Sequence, residues 1–256
     1  MSKRKRFVIT TIILSLGFVA IQLFDESYRF ISIGSLSFLT LVLFTWSLKE
    51  GLGKNLTLLS LILPTFFTLG VGLFWFLLPS NIFARIPILL FYAVGIYALC
   101  LTSNIYTVAA IRTIALLRAA KGVGFVLTLV VIFLLYDTIL SFRLPIYLVA
   151  PLISIISFPL FLQGLWVIKM EDKLSGELLL STIIFSLVMG EVALGLFFWP
   201  VTVVVGSICL TVSAYILLGL GQAKHEGRLF SQTIREYLVV GLLVFIGLFL
   251  ARVGLH

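Results

Sequence analysis

The sequence is poor in the residues that carry most enzyme chemistry. Its 256 residues include two histidines and two cysteines, and charged residues make up only 11% of the chain. It contains no clustered Cys or His ligands, no Gly-x-x-x-x-Gly-Lys-Ser/Thr phosphate loop, no His-Glu-x-x-His pair and no Gly-x-Ser-x-Gly elbow. The sequence therefore predicts no metal and no organic cofactor. It leaves the question of enzyme activity open, with the balance against it.

The few cysteines and histidines lie in places that exclude further classes of site. Cys100 and Cys209 are each inside an apolar run, which predicts small buried hydrophobic side chains and no disulfide framework. His225 lies in a predicted loop and His256 at the end of the sequence. An imidazole base or ligand within the apolar runs is therefore excluded.

Apolar residues are present in great excess, at 61% of the chain. A soluble domain has about 45–50% apolar and about 25% charged residues, so one soluble core cannot bury this much apolar surface. Lipid is the alternative solvent, and about 20 apolar residues cross its hydrocarbon layer. The chain is therefore predicted to have the lipid bilayer as its main partner. The net charge of +8 is assigned to membrane topology, and nucleic acid is not predicted as a partner.

Nine apolar runs organise the chain. They cover residues 7–24, 31–47, 56–78, 86–108, 123–142, 144–168, 178–199, 201–220 and 237–253. The first run is longer than the ~7–15-residue core of a signal peptide, so it is read as an uncleaved helix. The predicted fold is all-α, a polytopic bundle of about nine transmembrane helices that forms a single domain over residues 1–256. A weak parallel repeat, relating 56–142 to 178–253, is a further hypothesis.

The basic residues predict the orientation of the bundle. If the N-terminus is cytoplasmic, fourteen of the eighteen Lys and Arg residues fall on the cytoplasmic side and four fall outside. Insertion retains Lys and Arg in the cytoplasm, so this bias favours a cytoplasmic N-terminus and an outside C-terminus. The cytoplasmic residues are Lys3, Arg4, Lys5, Arg6, Lys49, Lys54, Arg112, Arg118, Lys121, Lys169, Lys173, Lys224, Arg228 and Arg235, and the outside residues are Arg29, Arg85, Arg143 and Arg252.

Two carboxylates lie inside the predicted transmembrane helices. Glu191 is in the seventh, near or slightly outside the midplane, and Asp137 is near the outer end of the fifth. An ionised carboxylate in hydrocarbon is costly, so each is expected to face the bundle interior, to be protonated, or to find a partner. Arg85 and Arg143 are candidate partners on the outer side. For Asp137 a structural role at the helix end is favoured.

Prolines and small residues predict how some of the helices pack. Pro151 and Pro159 lie inside the sixth run, where each removes a backbone donor, so this helix is expected to be kinked or broken between them. Such interruptions occur at transport sites and also in packed helices without a site. Small residues on the seventh and eighth runs, Gly190 among them, predict close packing of those two helices. A short interfacial helix is predicted over residues 221–236.

Three functions remain open from these residues. The leading one is a transporter or channel of the cell membrane for a small solute or ion, with Glu191 as the coupling or binding carboxylate. The second is a non-catalytic subunit or assembly scaffold, with protein partners or a homo-oligomer, in which Glu191 makes a register-setting hydrogen bond. The third is an enzyme acting on lipid headgroups at the outer face, which would draw on Asp25, Glu26, Arg29, Arg85, Arg143 and Trp199.

Overall fold

The regular structure is entirely helical in the part of the chain that the computed structural model describes, residues 2–21, 28–52, 57–78, 82–110, 115–199 and 201–253. Within these ranges it has nine α-helices, and a 3-10 helix, Thr57–Leu61, that leads into the third. The α-helices are α1 (Lys3–Ile21), α2 (Arg29–Leu48), α3 (Ile62–Trp75), α4 (Ile82–Ala109), α5 (Leu117–Ser141), α6 (Ile146–Lys169), α7 (Gly176–Phe197), α8 (Val203–His225) and α9 (Ser231–Val253). The all-helical prediction is confirmed.

Within the described ranges, eight of the helical segments are long and apolar enough to cross a membrane, and the first of them is α2. Helix α1 is the exception because its first turn carries four cations, Lys3 to Arg6. The apolar part of α1 within the described residues runs from 7 to 21, which is about 22 Å long at 1.5 Å per residue. That is shorter than the ~30 Å hydrocarbon layer. The predicted continuation of this helix to residue 24 lies outside the described residues.

One local prediction was wrong and another is met only in part. Pro151 and Pro159 lie inside one continuous helix α6, so the helix does not end between them, and a kink at these prolines stays a prediction; each proline removes one donor, and the bonds of the neighbouring turns remain. The interfacial helix over 221–236 does not form as a separate element. Helix α8 continues to His225, Gly227 adopts a φ of 71°, and α9 begins at Ser231. The left-handed backbone of Gly227 ends α8, and no breaker follows it to separate an interfacial turn from α9.

The chain divides into two compact units, Met1–Thr138 with Met170–Leu174, and Ile139–Lys169 with Ser175–His256. The single domain over 1–256 and the parallel repeat stay predictions. In the first unit, α1 packs on α2 and α4, and α2 packs on α3. Aromatic rings fill the centre of this unit. Phe18 stacks on Tyr92 at 4.5 Å between centroids and meets Trp75 edge-on at 5.3 Å.

Polar contacts join the start of α1 to the end of α2. The Arg6 guanidinium, which is almost fully buried, donates to the Glu50 carboxylate, and Lys3 Nζ lies 3.0 Å from the same carboxylate. One turn deeper, the hydroxyls of Thr10 and Ser47 are 3.0 Å apart. Lys3 and then Arg6 lower the pKa of the Glu50 carboxyl below its ordinary value. These contacts hold the basic end of α1 against α2.

The second unit is built around the contact between α6 and α7, its most extensive helix pair. Gly190 of α7 lies against Ser154 Oγ and the Ala150 carbonyl of α6, so a side chain at residue 190 would collide with them. Helix α8 also packs on α7, as predicted. The close approach of Gly190 is nevertheless to α6 and not to α8.

Helix α7 has the polarity of its faces inverted relative to a helix of a soluble protein. Its buried residues include Ser181, Thr182, Ser186, Gly190 and Ala193. Most of its exposed residues are large and apolar, among them Leu180, Ile183, Ile184, Leu187 and Leu194. Small residues inside and large apolar residues outside are typical of helices that pack in lipid. A soluble helix instead turns its apolar stripe inward.

The contact of Gly190 with α6 yields a first prediction. Gly190→Ala is expected to destabilise the protein by about 1–3 kcal/mol, because the added methyl overpacks a close backbone approach. Thermal unfolding in detergent measures the effect. Gly195→Ala is the matched control, since a methyl at residue 195 of the same helix meets nothing within 4 Å. Adding Ser154→Ala to Gly190→Ala should restore most of the loss; equal midpoints for the two glycine variants would contradict this packing.

The contacts of Glu50 yield a second prediction. Because its pKa is lowered on folding, the ion pairs stabilise the protein above the unfolded pKa of about 4.3 and are lost as pH falls through the folded pKa. Glu50→Gln should lower the thermal midpoint at neutral pH and flatten its decline below about pH 5. Glu236→Gln is the control, since Glu236 bonds only Gln232 of its own helix turn. An unchanged pH profile in Glu50→Gln would refute the role of this carboxylate.

Candidate functional site

Glu191 lies on the exposed face of α7. Ser175 caps this helix by accepting a hydrogen bond from the Leu178 amide, and Glu191 lies about 9 Å, at 1.5 Å per residue, before the last helical residue, Phe197. Leu187 and Leu194 flank Glu191 on the same face, and they are 56% and 40% exposed. In the described part of its own unit, no cation or hydrogen-bond donor lies against Glu191. The carboxylate is thus the single polar group in an exposed apolar stripe.

This placement narrows the expectations for Glu191. It does not face the interior of its own unit, so protonation and an external partner are the two ways left to offset the cost of a carboxylate in hydrocarbon. Its role stays a prediction. The exposed side chains next to Glu191 on α7 are large and apolar. They provide no second polar group that could form a path for a solute together with Glu191.

Asp137 lies in the first unit, near the C-terminal end of α5, and is only 6% exposed. It takes part in a polar interaction, so it is not a free carboxylate. The neighbouring Thr138 donates its hydroxyl to the Leu134 carbonyl of the same helix. The structural role that the sequence favours for Asp137 stays a prediction.

Arg85 finds an aromatic partner. Its guanidinium lies over the Trp75 ring at 5.4 Å from the centroid, and Arg29 lies over the Phe76 ring at 5.0 Å. Both rings are at the C-terminal end of α3. Cation–π contacts of this kind stabilise a guanidinium without a carboxylate. The two arginines therefore form a basic, aromatic-lined end of the first unit.

Arg143 occupies a strained position beside a cavity in the second unit. Its φ is 48°, a left-handed conformation that normally selects glycine, and its amide donates to the Leu140 carbonyl at 3.2 Å as α5 ends. The cavity has a volume of about 770 Å³ and is bounded by the ends of α5 and α7 and the beginnings of α6 and α8. Arg143 is its one charged lining residue among the described residues, and Glu191 is not part of the lining.

A buried chain of hydroxyls in the first unit was missed by sequence reasoning. Thr40 donates to the Leu36 carbonyl, so its oxygen is left to accept from Thr68 at 3.0 Å. Thr68 must then accept from the Tyr92 hydroxyl at 3.2 Å. The chain joins α2, α3 and α4 and has every donor satisfied. Threonine and tyrosine are scattered through all the apolar runs, so no spacing signal could have singled out these three.

The described residues hold no group of three or more His, Cys, Asp or Glu side chains that could bind a metal ion. Asp25 and Glu26, two of the residues on which the lipid-enzyme hypothesis draws, lie outside the described residues, as do the linkers that hold Lys54 and Arg112. Of the predicted site residues, Arg85 and Asp137 are in the first unit, and Arg143 and Glu191 are in the second.

The length of the helices and the exposure of their side chains indicate the class of protein. Among the described residues, eight helical segments are long enough to cross a membrane, and many large apolar side chains are exposed along them, which is the pattern of a multi-pass membrane protein. Residues 47–251 match a family described as "Protein of unknown function (DUF5656)", and because the match spans most of the chain, the protein belongs to that family. No curated protein and no solved structure matches the chain.

The hydroxyl chain yields a third prediction. Thr68→Val breaks two hydrogen bonds between helices, each worth on average about 0.6 kcal/mol in a membrane protein, so a loss of about 1 kcal/mol is expected. Thr65→Val is the matched control on the same helix, since Thr65 only bonds back to the Leu61 carbonyl. Tyr92→Phe should cost less than Thr68→Val because it removes only the terminal donor. Thermal unfolding in detergent that ranks Thr65→Val as the worst of the three would refute the chain.

Proposed function

We propose that this protein is a multi-pass protein of the cell membrane that acts as a non-catalytic subunit or assembly scaffold of a membrane complex. The observation that carries the proposal is the exposed position of Glu191 in the apolar stripe of α7. The expected partner is a membrane helix, of another protein or of a second copy of this chain, with a hydrogen-bond donor or cation at the same depth.

The free energy needed to place the Glu191 carboxylate in hydrocarbon supports a role in assembly with a partner helix. An acidic side chain at membrane depth costs several kcal/mol unless it is protonated or paired. A partner helix that donates to Glu191 offsets this cost, and the leucines on either side supply apolar surface against which that helix can pack. A single polar group in such a surface selects one register, as a polar residue does in a coiled-coil seam.

The distribution of cations supports the proposed orientation, with the N-terminus in the cytoplasm and the C-terminus outside. The fourteen-to-four bias of Lys and Arg is the pattern that insertion produces. The cations of α1 lie at its first turn, where Lys3 and Arg6 pair with Glu50 beyond the end of α2. This arrangement keeps all three charges at the ends of the helices, as expected for charges beside a headgroup layer.

Transport of a small solute or ion is the second candidate. Its support is the same residue, since an ionisable side chain at membrane depth is a functional-site candidate by default. The apolar surroundings of Glu191 favour the scaffold instead. A coupling carboxylate requires a polar path, and the exposed stripe of α7 presents leucine and isoleucine on either side of it.

The replacement of Glu191 by leucine gives the fourth prediction. Glu191→Leu continues the apolar stripe, so the isolated protein should keep or raise its thermal midpoint, while association with its membrane partner should fall at least about tenfold, the equivalent of one charged hydrogen bond. Purification in mild detergent with quantification of the associated chain, by native mass spectrometry, measures the association. Glu177→Gln is the control, because Glu177 is on the same helix and pairs with Lys224 at its first turn.

Two outcomes would decide against the scaffold. Equal association of the native protein and Glu191→Leu would remove the role of the carboxylate in assembly. A native protein that purifies without a partner, and whose proton or solute flux in liposomes is abolished by Glu191→Gln, would establish transport in its place.

A further inference from the structure

We propose that the cavity beside Arg143 is a binding site for one anionic phospholipid, with the lipid phosphate on the Arg143 guanidinium and an acyl chain along the apolar wall. This site is separate from the stripe of α7 and does not depend on the proposed scaffold role. The juxtaposition that carries it is one arginine, with no acidic side chain against it in the described part of its unit, in the lining of a mostly apolar cavity.

The cavity has the size and lining of a ligand site. Its volume of about 770 Å³ is within the ~300–1,000 Å³ range of small-molecule pockets. Its walls are mostly apolar, with Leu140, Val149, Leu196 and Phe197 among them. Such a lining favours a ligand with a hydrocarbon part, since a small inorganic ion would leave these walls in contact with water or empty.

Arg143 is held at the cavity by a backbone that is unfavourable for it. A side chain at a φ of 48° strains the chain at the end of α5, where glycine would be relaxed. Strain of this kind is retained where the surroundings or a function maintain it. The guanidinium is exposed and has no carboxylate against it in the described part of its unit. Its forked donors match a phosphate in geometry and charge.

The beginning of α8 adds positive potential at the same rim. Thr202 caps this helix by accepting from the Val205 amide at 3.4 Å, and residues 201–203 line the cavity. The first turn of a helix carries unpaired amides and the positive end of the helix dipole, which favour an anion. Trp199 lines the cavity where α7 has ended, a position at which tryptophan suits a membrane–water interface.

These features distinguish a lipid from other anions. Helices α5 and α7 end at this cavity and α6 and α8 begin there, so it opens at the level of the helix ends, where lipid headgroups lie if the helices cross a bilayer. A phospholipid places its phosphate at that level, and its acyl chains extend toward the middle of the bilayer. Free phosphate shares the charge but has no part that would occupy the apolar wall.

The test measures lipid binding to the purified full-length protein in detergent, by native mass spectrometry and by the lipid-induced shift in thermal midpoint. The probes are phosphatidylglycerol, phosphatidylcholine with the same acyl chains, and inorganic phosphate. The native protein should bind phosphatidylglycerol more tightly than phosphatidylcholine. Arg143→Gln should weaken the binding of phosphatidylglycerol at least about tenfold, the equivalent of one lost charged hydrogen bond, and leave phosphatidylcholine unchanged.

The variant Arg143→Gly distinguishes an effect on lipid binding from an effect on the stability of the fold. Glycine relaxes the left-handed backbone, so this variant should unfold at the same or a higher temperature without lipid, and yet lose the preference for phosphatidylglycerol. Arg235→Gln is the matched control, because it removes one exposed cation of the same unit that does not line the cavity. It should bind as the native protein does.

Three results would overturn the proposal. Equal affinity of the native protein for the two lipids would remove the anionic headgroup from the site. An unchanged preference for phosphatidylglycerol in Arg143→Gly and Arg143→Gln would remove Arg143 from it. An equal thermal shift with inorganic phosphate alone would show a site for a free anion in place of a lipid.

Discussion

Hydroxyl groups that bond back to their own helix allow the close packing of α7 on α6, the most extensive helix contact of the second unit. Thr182 donates to the Leu178 carbonyl and Ser186 to the Thr182 carbonyl, so neither needs a partner on another helix. Their small side chains face inward with Gly190 and let α6 approach the α7 backbone. Because the inward face of α7 is occupied mainly by small residues, most of its large apolar residues are left on the outside, where they are stable only in an apolar solvent.

Glu191 is the exception to this arrangement, because it places a carboxylate on the apolar exposed face of α7. Every other large exposed side chain around it on α7 is apolar, so the surface suits lipid or another helix equally well. The carboxylate breaks that equivalence, because the hydrocarbon chains of lipids cannot donate a hydrogen bond and a polar side chain of another helix can. Arg143 is the corresponding exception at the end of the same unit, a cation held in a strained backbone beside an apolar cavity. In the described part of the second unit, neither group has an oppositely charged side chain against it.

Most of the helical architecture was predictable, for a simple reason. Long apolar runs must satisfy their backbone groups internally when they are in lipid, and a helix is the structure that does so within one segment. The structure departs from local patterns where they competed with that requirement. Pro151 and Pro159 did not break α6, and the residues from Ser231 onward continued into α9 instead of forming a separate interfacial helix. In both places the continuous hydrogen-bonded helix prevailed over the local pattern.

The sequence by itself determined the helical class, the apolar character of the segments and the identity of the few ionisable groups within them, because these depend on composition and run length alone. Only the tertiary structure decided which way those groups face. Gly190 and Glu191 are neighbours in the sequence, so they point to different sides of α7. Because the close packing on α6 places Gly190 inside, Glu191 is left on the exposed side. The cavity at Arg143 likewise exists only because four helix ends meet, which no pattern within one segment contains.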